Sequence, residues 1–95
     1  MNKFSVESYD AFFEAVLKLK TVDEARDFFD DVFTIKELDA ISQRLEVASM
    51  LKEGKNYQEI SRATGASTAT ISRVNKCLLY GRGGYNIVLG DQEAK

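Results

Sequence analysis

Proline, tryptophan and histidine are absent from the 95 residues, and cysteine occurs once, at Cys77. With no histidine and a single thiol, no Cys/His zinc set, no Ser–His or Cys–His pair and no internal disulfide can be assembled. An enzyme would have to run on carboxylates, lysines or hydroxyls alone, so no catalysis is expected, and no cofactor or metal. Asp30 and Asp31 with Glu24 or Asp27 can be drawn as a divalent-ion cluster, but solvated acids on a helix face are the simpler account. No apolar run approaches the ~20 residues of a membrane span. The start, Met1-Asn-Lys-Phe-Ser5, lacks the apolar stretch of a signal peptide. A cytoplasmic protein without membrane contact is expected.

What is present is unevenly placed. Residues 1–40 carry five bases against ten acids, and residues 41–95 carry eight bases against five acids. A net charge of −2 therefore hides a basic half, in which 52–82 holds six bases and two acids. Electrostatic association follows the local field, so the basic half can meet a polyanion while the acidic half keeps the chain soluble. All six phenylalanines (Phe4, Phe12, Phe13, Phe28, Phe29, Phe33) fall in the first 33 residues. That is more apolar surface than two short helices can hide by themselves, and small domains gain stability by pairing. A homodimer is expected.

The apolar spacing predicts five helices, all-α throughout. The first runs over about 6–19, with Tyr9, Phe12, Phe13, Val16 and Leu17 on one side. Thr21 with Glu24 reads as a capping box opening a helix over 22–32. Thr34 with Glu37 opens a third helix, whose stripe is Leu38, Ile41, Leu45, Ala48 and Leu51 and whose stop is Gly54. Asn56 with Glu59 starts a fourth over 57–64, and Ser67 caps a fifth over 68–80. Gly81-Arg-Gly-Gly84 breaks the pattern. Tyr85–Leu89 reads as an extended arm or a short helical turn, and the last five residues as frayed. Residues 1–95 form one helical domain on this reading: 1–33 for dimerisation, 34–80 as core helix plus helix-turn-helix, 81–95 as a short tail.

Two short helices joined by a three-residue turn that begins with glycine describe a helix-turn-helix. Ile60, Ile71 and Val74 are the positions that must touch, Ser61 is small where the helices cross, and Gly65 supplies the positive φ. Thr64 departs from the pattern, since a larger aliphatic would fill its place better. At about 100° per residue, Val74 and Leu78 fall near Ile71, and Ala69, Arg73 and Lys76 lie opposite, flanked by Ser72 and Thr70. Small residues allow a helix to approach base edges, and arginine can read guanine or clamp phosphate. Lys55, Asn56, Gln58 and Arg62 sit where the first helix would cross the backbone, and Lys52, Lys55, Arg62 and Lys76 would contact phosphates. Cys77 reads as a packed thiol on the flank of the buried side.

From Leu51-Lys-Glu-Gly54 through Ala69-Thr-Ile-Ser-Arg73 the chain resembles the Trp repressor family, and in particular the Trp-repressor-like YerC/YecD group. Gln58-Glu-Ile60, Gly65 and Phe33-Thr34 leading into Leu38 and Arg44 extend the likeness over about residues 33–80. The resemblance implies an intertwined all-helical homodimer on palindromic operators. It implies that Thr68, Ala69, Thr70, Ser72 and Arg73 face the major groove of double-stranded DNA. It also implies a corepressor slot between the helix-turn-helix and the core, matched by Thr34, Arg44 and Arg73. Val74 stands where the family founder has glycine and Cys77 where it has serine. Valine overfills that slot, so tryptophan is not expected to bind. A small metabolite other than tryptophan, held by Arg44 and Arg73, stays open, as does an ion pair of Arg44 with Glu37 or Glu46.

The expected function is a sequence-specific DNA-binding transcriptional regulator, a repressor by resemblance. The alternative is a helix-turn-helix that contacts polymerase or another regulator, which the acidic N-terminal half would suit.

Overall fold

The computed structural model describes residues 5–90, and these form six helices and no strand. The chain divides into two compact units, Met1–Leu38 and Asp39–Lys95.

The first unit holds α1 (Val6–Val16) and α2 (Val22–Val32), with the opening turn of α3 (Ile35–Lys52). The Ser5 hydroxyl accepts from the Ser8 N–H to cap α1. The helix ends before the expected residue 19, because Lys18 and Leu19 bond back three residues, to the carbonyls of Ala15 and Val16, and tighten the last turn. At α2 the Thr21 hydroxyl accepts from the Glu24 N–H at 3.0 Å, while the Glu24 carboxylate accepts from the N–H of Lys20, one residue before the cap. Thr34 and Glu37 form the reciprocal box that starts α3. The phenylalanines meet one another: Phe12 stacks on Phe28 at 6.1 Å and Phe29 on Phe33 at 5.2 Å, with Phe28 and Phe29 edge to face. No residue of α1 or α2 is fully buried.

The second unit holds the rest of α3 with α4 (Tyr57–Thr64), α5 (Thr68–Tyr80) and α6 (Gly84–Leu89). Its core is Val47, Ala48, Ile60, Ala66, Ile71 and Val74, all within 2% of complete burial. Met50, Leu51, Tyr57, Leu78, Tyr85 and Leu89 pack around them. The stripe expected on α3 is buried at its C-terminal end, where Ala48 and Leu51 meet the core. Val47, Met50 and Leu51 look into the core with Ala48, whereas Ile41 and Leu45 remain 44% and 40% exposed. At about 100° per residue Ala48 lies within about 20° of Ile41, so the stripe is continuous, and Val47 and Met50 widen its buried end on one side.

A sixth helix stands where an arm or a single turn was expected. α5 stops at Gly81, where a Cβ would collide with the Cys77 carbonyl, and α6 starts two residues beyond Arg82. Lys52 Nζ donates to Asn86 Oδ1 at 2.6 Å and, with Tyr85 and Leu89 on the core, fastens α6 down. The fraying expected of residues 91–95 lies outside the described residues.

Candidate nucleic-acid interface

The start of each helix of the α4–α5 pair is fixed by side-chain hydrogen bonds. Asn56 Oδ1 accepts from the Glu59 N–H at 2.8 Å and Glu59 Oε1 accepts from the Asn56 N–H at 2.9 Å, so both orphan donors are met. Gly65 ends α4 at φ +77°, a left-handed conformation that a Cβ would strain. Ser67 caps α5 through the Thr70 N–H at 3.1 Å, and its hydroxyl also donates to Thr70 Oγ1.

Thr64 proves to be a structural part of the turn. Its hydroxyl donates to the Ile60 carbonyl at 2.8 Å and accepts from the Ala66 N–H at 3.1 Å, bridging the helix end to the turn. A larger aliphatic would leave both groups without that partner. Gln43 Nε2 then donates to the Thr64 carbonyl at 3.1 Å and ties the turn to α3. Sequence reasoning missed Gln43, although it lies one turn before Val47 on the side of α3 that faces the core. A polar residue in that position was the available signal.

The wheel of α5 is realised. Ile71 and Val74 are buried, while Thr68, Ala69, Ser72, Arg73 and Lys76 are exposed. Thr70 is half-buried and sits on the flank, with its hydroxyl occupied by Ser67. On α4, Gln58 and Arg62 are exposed, as are Lys55 and Asn56 before it. Tyr57, Gln58, Ser61 and Arg62 of α4 meet Thr68 of α5 around a polar cleft of about 400 Å³. The ion pair among the described residues is Arg26 with Asp23 on α2, so the bases of α4 and α5 keep their charge for another partner. Arg44 makes no described ion pair with Glu37 or Glu46. The ammonium of Lys52, a residue expected to contact phosphate, donates to Asn86.

Behind α5 a smaller recess of about 210 Å³ is lined by Arg44, Thr70, Arg73, Val74, Cys77 and Tyr85. Four of the five residues proposed for a ligand slot therefore gather there. Thr34 belongs to the other compact unit and spends its hydroxyl on capping α3. Val74 is 2% exposed and belongs to the core. Cys77 is exposed, contrary to the packed thiol expected, because its side of α5 opens onto the recess. Tyr85 was unassigned in the sequence. Its signal was an aromatic placed directly after the glycine stop.

A glycine-started turn, two capped helices and an outward face of small residues and bases define the helix-turn-helix class of regulators. The family model described as Trp repressor protein matches residues 7–93, and the chain belongs to that family. It is 48% identical over 89 residues to the uncharacterized protein YerC of Bacillus subtilis (strain 168), covering 94% of this chain and 86% of the relative. A crystal structure of a TrpR-like protein from Eubacterium eligens ATCC 27750 superposes with a TM-score of 0.86 at 53% identity, over 93% of this chain and 94% of the other. A Staphylococcus aureus structure assigned provisionally as a Trp repressor gives 0.85 at 44% identity, over 90% and 85%.

Proposed function

We propose that the chain is a sequence-specific DNA-binding transcriptional regulator that reads palindromic operators as a cytoplasmic homodimer, acting as a repressor and needing no tryptophan. The observation that carries this reading is the outward face of α5. Thr68, Ala69, Ser72, Arg73 and Lys76 are exposed on a helix whose other side is locked by Ile71 and Val74. Thr68, Ala69, Thr70, Ser72 and Arg73 would read the major groove, and Lys76 would join them at its edge. Lys55, Asn56, Gln58 and Arg62 would hold the phosphates and supply salt-dependent affinity.

Pairing is supported by apolar surface that one chain leaves open. Leu17 is 81% exposed, Ile35 80% and Ile87 84%, with Tyr80 and Val88 also uncovered. In each unit these side chains offer apolar surface that a second copy could cover. Two copies related by a two-fold axis would place recognition helices about 34–36 Å apart, one turn of DNA. The burial of Val74 supports a regulator that works without an indole in its slot. Thr34, Arg44, Arg73, Val74 and Cys77 remain the candidates should a smaller metabolite act as corepressor. No helix among the described residues is long and apolar enough to cross a membrane.

The test is selection of bound sequences from random duplex DNA by the purified protein without added metabolite. A palindrome with half-sites one turn apart is the expected outcome. Failure to recover any sequence, with and without a pool of amino acids, would turn the reading toward a protein-binding helix-turn-helix.

A further inference from the structure

We infer that Tyr85 is the positioning residue of the recognition helix: α6 carries its ring against the recess between α3 and α5 and props the Thr70–Arg73 flank of α5 at a fixed attitude. The consequence for DNA rests on the reading above, whereas the prop itself rests on geometry.

α5 is pinned to the core by Ile71 and Val74, with Leu78 beside them. At about 100° per residue, Thr70, Arg73 and Cys77 lie together on one flank of that pinned edge. These same residues line the recess, and the groups facing them across it are Arg44 of α3 and Tyr85 of α6. Tyr85 is half-buried and packs on the core cluster as well, so its ring touches both the fixed part of the unit and the recess.

A six-residue helix has no stability of its own. It is held because Asn86 accepts from Lys52 at 2.6 Å and Leu89 packs on the core, one and four residues after the position that carries the ring. Ile87 and Val88 point the other way and are exposed, so the inward-facing set is Tyr85, Asn86 and Leu89. A ring with two torsions gives a large contact at low entropic cost. Placement matters because base reading tolerates errors of only roughly 0.5 Å in the reading side chains. Arg73 lies on both surfaces, lining the recess and standing exposed on the outward face. A shift of this flank therefore moves a reading group directly.

The experiment compares the full chain with Tyr85→Ala and Tyr85→Phe. Amide hydrogen exchange of α5 and affinity for the selected operator are read with and without millimolar 4-methylphenol, the tyrosine side chain as a free molecule. Tyr85→Ala is expected to keep its helix content and the protection of α3 and α4. Its α5 amides exchange faster, and operator affinity falls about tenfold, within the usual range of coupling between sites. Tyr85→Phe stays near the wild type, and 4-methylphenol restores protection and affinity to the alanine variant only.

Unchanged α5 exchange in Tyr85→Ala overturns the proposal, as does a rise spread evenly over α3, α4 and α5 that 4-methylphenol leaves in place. Should the alanine variant fail to fold, Tyr85→Leu carries the same comparison, since it keeps apolar bulk without the ring. If the wild type binds no operator, the DNA reading fails by itself, and the exchange of α5 still decides the role of Tyr85.

Discussion

The helices before Leu38 and those after it differ in what encloses them. α1 and α2 contain no fully buried residue, although five phenylalanine rings crowd between Phe12 and Phe33. The second unit buries Val47, Ala48, Ile60, Ala66, Ile71 and Val74 completely or nearly so. Side-chain size explains the difference. Valine, alanine and isoleucine are small enough for short helices to close around them. A cluster of rings satisfies its members edge to face and still presents broad outer faces to water. Hydrophobic content alone does not make a core; the partner surface has to match the side chains in size.

The sharpest way to break this comparison is to empty each half in turn. Ile71→Ala is expected to cost about 2–5 kcal/mol, much of the stability of a domain this small. Urea unfolding followed by circular dichroism measures it, and a loss under 1 kcal/mol would contradict the closed core. Phe28→Ala should act instead through assembly. Sedimentation is expected to show a single chain at concentrations where the wild type is paired, with the α4–α5 helices intact. A wild type that sediments as one chain would sink that half of the comparison.

Arg73→Ala belongs to the face and should spare the fold. Operator affinity is expected to drop by about 1–3 kcal/mol in a titration, with the unfolding midpoint nearly unchanged. Thr64→Val is a smaller perturbation, expected to destabilise by about 1 kcal/mol because the Ile60 carbonyl and the Ala66 N–H lose their hydroxyl partner. A valine variant as stable as the wild type would show that the hydroxyl bridge contributes nothing.

The smallest effect lies at the exposed start of α1. Backbone hydrogen bonding at Glu7, and then the Ser5 hydroxyl, hold its carboxyl below the ordinary glutamate range. A depressed folded value stabilises the charged form, so the contribution is present above the unfolded value and fades as pH falls through the folded one. A carbon-detected titration of Glu7 should show the low midpoint, and Ser5→Ala should move it upward.

Much of the second unit was legible in the sequence. α4 and α5 begin and end where the spacing puts them, because Asn56, Glu59, Gly65 and Ser67 each act on their own neighbours. α1 was read three residues too long, since nothing local to Leu17–Leu19 announces that the last turn tightens. α3 was misread for a different reason. Val47 was overlooked because it lies off the Ile41–Leu45 line while sitting at 0% exposure. Helix period says which residues share a side, but not where along the helix that side meets the core. The outward face of α5 followed from the wheel, which also put Thr70 on its flank. Thr34, brought into the slot by resemblance alone, caps α3. Gln43 and Tyr85 each left a local signal, but their partners and that of Lys52 could not be read from spacing, because they lie 21 to 34 residues away or are set by tertiary packing.

The bond between Lys52 and Asn86 has one more effect. Its acceptor is an amide and carries no charge, so the lysine is immobilised without being neutralised. A glutamate at residue 86 would hold the same ammonium and erase a positive charge from a stretch that has few to spare. The ammonium keeps two further donors, and its charge still adds to the positive potential of the basic half of the chain. On the proposed DNA-binding reading, Lys52 would raise the rate of encounter through its charge.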